Sequence, residues 1–170
     1  RNLEVAPLSA LDPGRLAYSR PDGACGQAML DYIEWATARC RGGEAAGMVT
    51  APINRAAIHA AGYDFPGHTE LLARRCGVDK VVMMLGGATL KVCLVTTHLA
   101  LRDVPAALTQ EEILETIRIT DGSFSRFFAL ERPRIAVLSL NPHAGEGGLF
   151  GDEEQRLIVP AIEAARAQGI

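Results

Sequence analysis

The chain has 170 residues, 48% hydrophobic, 22% charged and 5% aromatic, with a formal net charge of −3. So much apolar content at so little net charge excludes a wholly disordered chain. The acidic balance excludes nucleic-acid binding through bulk positive charge, and no apolar run approaches the roughly 18 residues of a membrane-crossing helix. The length suits one ordinary domain, or part of a larger one. Cys25, Cys40, Cys76 and Cys93 form no Cys-x-x-Cys pair and read as reduced, structural thiols. With no signal peptide at the start, they point to the cytoplasm. The chain opens on Arg1 rather than Met, which suggests a piece of a longer polypeptide.

Strand and helix signals alternate along the chain. The stretch 1–23 is punctuated by Pro and Gly and reads as an irregular entry. Residues 24–41 read as a helix, with Ala28, Ile33, Ala36 and Cys40 near helical spacing and Gly42-Gly43 as the stop. A short apolar run, 47–50, reads as a buried strand. A small Ala-rich helix over 53–61, a turn over 63–67 and a helix over 69–76 follow. The runs 80–85 and 89–96 flank Gly86-Gly87 and predict an antiparallel hairpin of buried strands, with Cys93 inside. Thr109-Gln110-Glu111-Glu112 is a capping box that opens a helix over 110–128, with Ile113, Leu114 and Ile117 on one face. A strand over 134–140 follows Pro133. Asp152 is expected to cap a last helix whose Leu157, Ile158, Ala161, Ile162 and Ala165 form an apolar stripe. Trp35 and the Phe124, Phe127, Phe128 group read as core or interface. This order implies an α/β fold with a mixed, largely parallel and buried sheet.

In such sheets ligands gather beyond the carboxyl ends of strands, and three polar segments fall at such junctions. His98 closes the segment Thr96-Thr97-His98, and His143 lies in Asn141-Pro142-His143-Ala144-Gly145-Glu146-Gly147-Gly148. Imidazole is the commonest protein ligand for divalent transition metals, so the pair is either a metal site or two hydrogen-bonded loop histidines. Gly145, Gly147 and Gly148 allow either a close approach to a ligand or a flexible connection to the last helix. Asp152, Glu153 and Glu154 read as a first helical turn complementing the dipole rather than as metal ligands. His68 and Thr69 open a helix, where free amides favour an anion; Thr69 alone reads as a cap. His59 reads as an ordinary surface or packing residue, and Arg102-Asp103 as a local ion pair.

At these segments the chain resembles the 4-hydroxythreonine-4-phosphate dehydrogenase family. The resemblance is carried by Thr50–Asn54, Gly62–Glu70, Thr96–Asp103 and Asn141–Gly148, and it covers about residues 24–170, the middle of the family's longer polypeptide. It implies an α/β/α layered mixed sheet similar to that of isocitrate and isopropylmalate dehydrogenases, here incomplete at both ends. It implies that His98 and His143 bind a divalent cation (Zn, Mg or Co) and that His68 and Thr69 bind substrate, with no cofactor-binding residue assigned. The cofactor would be NAD or NADP. The reaction would be metal-dependent oxidation of 4-phosphooxy-L-threonine and decarboxylation to 3-amino-2-oxopropyl phosphate, in pyridoxal 5'-phosphate biosynthesis. The partners would be a small phosphorylated hydroxy acid and a second subunit, in a homodimer with shared active sites. The family's third metal-binding His lies in a Tyr-His-Asp-Gln-Gly segment on the partner subunit, and no such segment occurs here. Arg55 stands where the family usually has Lys. Relatives acting on D-erythronate or D-threonate 4-phosphate share these segments and form one alternative; a non-catalytic truncated fragment forms another.

Overall fold

The computed structural model describes residues 3–17, 19–65 and 67–170. Arg1, Asn2 and Tyr18, in the expected irregular entry, and Pro66, in the expected turn, lie outside the described residues. Two compact units result, Arg1–Lys80 and Val81–Ile170, a division that no composition shift in the sequence marks.

The first unit is helical. Helix α1 spans Gly23–Arg41, and the Asp22 carboxylate accepts the Cys25 N–H at 3.0 Å as its N-cap. Helix α2, Arg55–Ala60, is capped in the same way by Asn54, which accepts the Ala57 N–H at 2.9 Å. Helix α3, His68–Cys76, begins one residue earlier than the sequence pattern predicts. Leu30 and Ile33 of α1, Ile58 of α2 and Leu71 of α3 meet in one core, bordered by Met48, Ile53, Phe65 and Leu72. The two helices α1 and α2 approach so closely at Gly26 that a Cβ there would lie 2.0 Å from the Ala57 carbonyl oxygen.

Two readings for this unit fail. Of core or interface for Trp35, core does not hold: it stays 40% exposed, with the Arg39 guanidinium 4.8 Å from its ring centroid. Residues 47–50 form no strand, and Val49 is fully exposed. A strand is completed by a neighbour's hydrogen-bond ladder, and among the described residues of this unit there is no other strand to supply one.

The second unit opens with the expected hairpin. Strands β1, Met83–Gly86, and β2, Lys91–Leu94, pair antiparallel, with Met83 opposite Leu94 and Gly86 opposite Lys91. Its burial differs from expectation: β1 is exposed along its length, Leu85 at 53%, and Cys93 is half-buried. Of the two strands β2 is the one that meets α5, so β1 gains little cover on either face. A 3₁₀ turn, Leu101–Asp103, and the one-turn helix α4, Val104–Ala107, lead to α5, Gln110–Phe128. Thr109 caps α5 by accepting the Glu112 N–H at 3.1 Å. Helix α6, Val159–Ala167, is preceded by a π turn, Glu154–Ile158. Ile113, Leu114 and Ile117 of α5 bury against Ile158, Ala161 and Ala165. Phe124 and Phe128 stack at 4.8 Å, but Phe127 and Phe128 remain exposed, so only part of the expected aromatic cluster is covered.

Residues 134–140 keep the side-chain alternation of a strand without its ladder. Ile135, Val137 and Leu140 pack on the α5–α6 core, while Leu138 is 79% exposed. An apolar cavity of about 640 Å³ is lined by β2, this extended segment and α5. The architecture is thus mixed α/β with an incomplete sheet: two ladder-bonded strands and one extended segment stand where a continuous, largely parallel sheet was expected.

The Gly26 contact yields a stability test. Gly26→Ala forces a methyl group into the α1–α2 crossing and should cost about 1–3 kcal/mol. Urea unfolding of the purified chain measures it; an unchanged midpoint would show that the helices part without cost.

Candidate active site

His143 sits in a turn held in an unusual conformation. Residues 142–148 leave the extended segment at Asn141, and His143, Ala144, Gly145, Glu146 and Gly147 all adopt positive φ, from 41° to 77°. For the three that are not glycine this costs roughly 1–2 kcal/mol each. Glycine at 145 is also required by space, since a Cβ would meet the Gly151 carbonyl oxygen at 2.6 Å and Glu154 Oε2 at 2.9 Å. The His143 ring is exposed and lies 6.1 Å from the Phe150 ring, inclined at 47°. The Phe150 N–H donates to the Gly145 carbonyl at 3.1 Å.

Glu154 anchors this turn from behind. Its Oε1 accepts the backbone N–H of Leu140 at 2.9 Å and of Asn141 at 2.7 Å, and its Oε2 accepts Asn141 Nδ2 at 3.0 Å. The same Nδ2 donates to Glu153 Oε2 at 2.7 Å. Glu154 is only 6% exposed. The Asn141 backbone N–H first, and then its side-chain amide, hold the Glu154 carboxyl below its ordinary value of 4.5 against the opposing effect of burial. Glu153 and Glu154 therefore do more than complement a helix dipole. Asp152 does not cap as expected either: its carboxylate lies 3.4 Å from Arg156 Nε, and its carbonyl accepts the Arg156 N–H at 2.9 Å. Sequence reasoning missed Glu154, although a signal existed. Glu154, Ile158, Ala161 and Ala165 share helical spacing, so a carboxylate falls on the buried stripe, and a buried carboxylate needs hydrogen-bond partners.

His98 follows β2 and is the second exposed imidazole of this unit, also with positive φ, 57°. Both histidines thus stand on loops that follow segments lining the same apolar cavity. Among the described residues no three His, Cys, Asp or Glu side chains cluster tightly enough to share a cation. Arg102 and Asp103 form the expected local pair, at 3.6 Å and well exposed.

In the first unit His68 and Thr69 begin α3. Its N-cap, Gly67, offers no side-chain cap, and the Glu70 carboxylate stands in the first turn, its Oε2 3.2 Å from where a Cβ on Gly67 would lie. The Nε2 of His68 is buried with no hydrogen-bond partner. Arg55 opens α2 close by, its Nη2 3.9 Å from where a Cβ on Gly67 would lie. His59 is an exposed residue of α2, as expected.

Helices laid on extended, alternating segments, with imidazoles in the loops beyond them, define an α/β class of domain with an unfinished sheet. The family described as "Pyridoxal phosphate biosynthetic protein PdxA" matches residues 1–170, and the chain belongs to that family. It is 53% identical over 99% of its length to 4-hydroxythreonine-4-phosphate dehydrogenase of Geobacter metallireducens, and 49% identical over 99% to that of Trichlorobacter lovleyi. It spans about half the length of these curated relatives, 49% and 50%. The crystal structure of 4-hydroxythreonine-4-phosphate dehydrogenase from Klebsiella pneumoniae superimposes with a TM-score of 0.85 at 44% identity, over 97% of this chain and 49% of that one. Among the described residues no helix is long and apolar enough to cross a membrane.

The Glu154 contacts predict an acid-sensitive contribution. Because the folded carboxyl titrates below 4.5, its stabilising effect is complete above that value and is lost as pH falls through the lower, folded value. Glu154→Gln should therefore lower stability most near neutrality, and the gap to the native chain should close on acidification. Urea midpoints across the acid range check this; a gap independent of pH would contradict it.

Proposed function

We propose that this chain is the central part of a 4-hydroxythreonine-4-phosphate dehydrogenase. The whole protein would oxidise 4-phosphooxy-L-threonine with NAD or NADP and release carbon dioxide to give 3-amino-2-oxopropyl phosphate, for pyridoxal 5'-phosphate synthesis. The observation that carries this reading is the 53% identity, over nearly the full chain, to a relative bearing that activity in its name. The relatives from Geobacter metallireducens and Trichlorobacter lovleyi are both named for 4-hydroxythreonine 4-phosphate, which favours this substrate over D-erythronate or D-threonate 4-phosphate.

The residues suit the chemistry. The buried, unpartnered Nε2 of His68 is a polar atom awaiting a hydrogen bond, and a substrate oxygen supplies one. The Thr69 hydroxyl and the leading amides of α3 offer donors to a carboxylate or phosphate group, beside the Glu70 carboxylate of the same turn. Together they would fix the orientation of the bound acid, which matters as much as activation. Arg55 lies beside this helix start; its planar guanidinium binds oxyanions in a different geometry from lysine. His98 and His143 would hold a divalent cation, Zn, Mg or Co, which would supply Lewis acidity toward the substrate alcohol, and NAD or NADP would supply the hydride acceptor. Two exposed imidazoles fit such a role because they leave coordination positions open. In a homodimer with shared active sites, the partner subunit would complete each site. Four unpaired cysteines accord with a cytoplasmic protein.

The test uses the protein at the full length of its relatives, with NAD(P)H formation from 4-phosphooxy-L-threonine as readout. His98→Ala and His143→Ala should each reduce turnover beyond the roughly 10–100-fold typical of groups behind the ligands, and each should lower bound metal. Near-native turnover with unchanged metal content would overturn the assignment.

A further inference from the structure

The turn that carries His143 runs against the preferences of its own backbone. Three non-glycine residues in it, His143, Ala144 and Glu146, hold left-handed conformations in one continuous run. Such a run persists only where its surroundings over-determine it. The fastening comes from a residue outside the turn. Glu154 lies on the same helical stripe as Ile158, Ala161 and Ala165, where an apolar side chain would extend the core at no electrostatic cost. A carboxylate stands there instead, and the acceptor contacts it makes are directed at the root of the turn. It takes both the Leu140 and Asn141 N–H groups on one oxygen and the Asn141 side chain on the other. Gly145 rests against the same carboxylate, and Phe150 ties the far side of the turn through its N–H and its ring.

We propose that Glu154, acting through Asn141, is a positioning residue for His143: its carboxylate locks the left-handed turn and so sets the direction of the imidazole. The consequence for metal binding rests on the reading of His143 as a metal ligand. The π turn has a role in this device. Its widened backbone starts at Glu154 itself, and such turns commonly mark functional positions in helices.

The experiment uses the protein at the full length of its relatives, labelled with ¹³C-histidine, with imidazole signals followed by NMR without metal and during titration with Zn²⁺. In Glu154→Ala the metal-free His143 signal should move toward that of an unstructured histidine as the Phe150 contact is lost, while the metal-free His98 signal stays in place. The Zn²⁺ response of His143 should weaken about 10–100-fold. Glu154→Gln keeps an oxygen acceptor for the two backbone N–H groups but turns an amide donor toward Asn141 Nδ2, so its signal and response should fall between those of the native chain and the Ala variant. An unmoved His143 signal in Glu154→Ala overturns the proposal. So does an equal shift of His98, which would mean general loosening of the unit, or a Gln variant as impaired as the Ala variant. If neither imidazole of the native chain responds to Zn²⁺, the metal reading fails. The positioning role is then decided by the metal-free signals alone, where the selective shift supports it and its absence overturns it.

Discussion

A single carboxylate joins the α5–α6 core of the second unit to the root of the turn that carries His143. Glu154 is drawn into the α5–α6 side of the core by its place on an apolar stripe, yet its oxygens reach back to the end of the extended segment at Leu140 and Asn141. A buried carboxylate is tolerated only when its oxygens are well supplied with donors. Here the donors are backbone amides that an unpaired extended segment would otherwise leave unsatisfied, so two liabilities cancel. The left-handed turn that follows, and the imidazole it carries, inherit their place from that arrangement.

The first unit solves a different problem with similar economy. Its helix starts are satisfied locally by Asp22 and Asn54, whereas α3 begins at Gly67 with no side-chain cap at all. There the Glu70 carboxylate of the first turn supplies the negative charge that complements a helix start.

Much of this was legible from residues. The helices announced themselves through caps and periodicity: Thr109 with Glu112, the Ile113–Leu114–Ile117 face, and the Gly86-Gly87 break that makes the hairpin. The strands were legible as segments but not as a sheet. Residues 47–50 and 134–140 have strand-like composition, and only the second keeps an alternating inward face, because only it has a helix pair to lie on. Whether a strand acquires a ladder depends on neighbours that its own sequence does not encode. Exposure of β1 and of Trp35 was illegible for the same reason: composition says that a residue can be buried, not that something lies over it. The role of Glu154 was hidden by its two acidic neighbours, which made a dipole explanation sufficient until the stripe was taken into account.

The capping pattern also bears on how this polypeptide acquires its shape. The caps of α1, α2 and α5 are all supplied from within three residues of the amide they satisfy, so these helices can nucleate early from short-range contacts. The segments that need distant ladders have no such local help, and closing long loops slows their assembly. Within the second unit the extended segment 134–140, which lies on α5 and α6 without a ladder of its own, is then the later-forming part, whereas the hairpin closes locally.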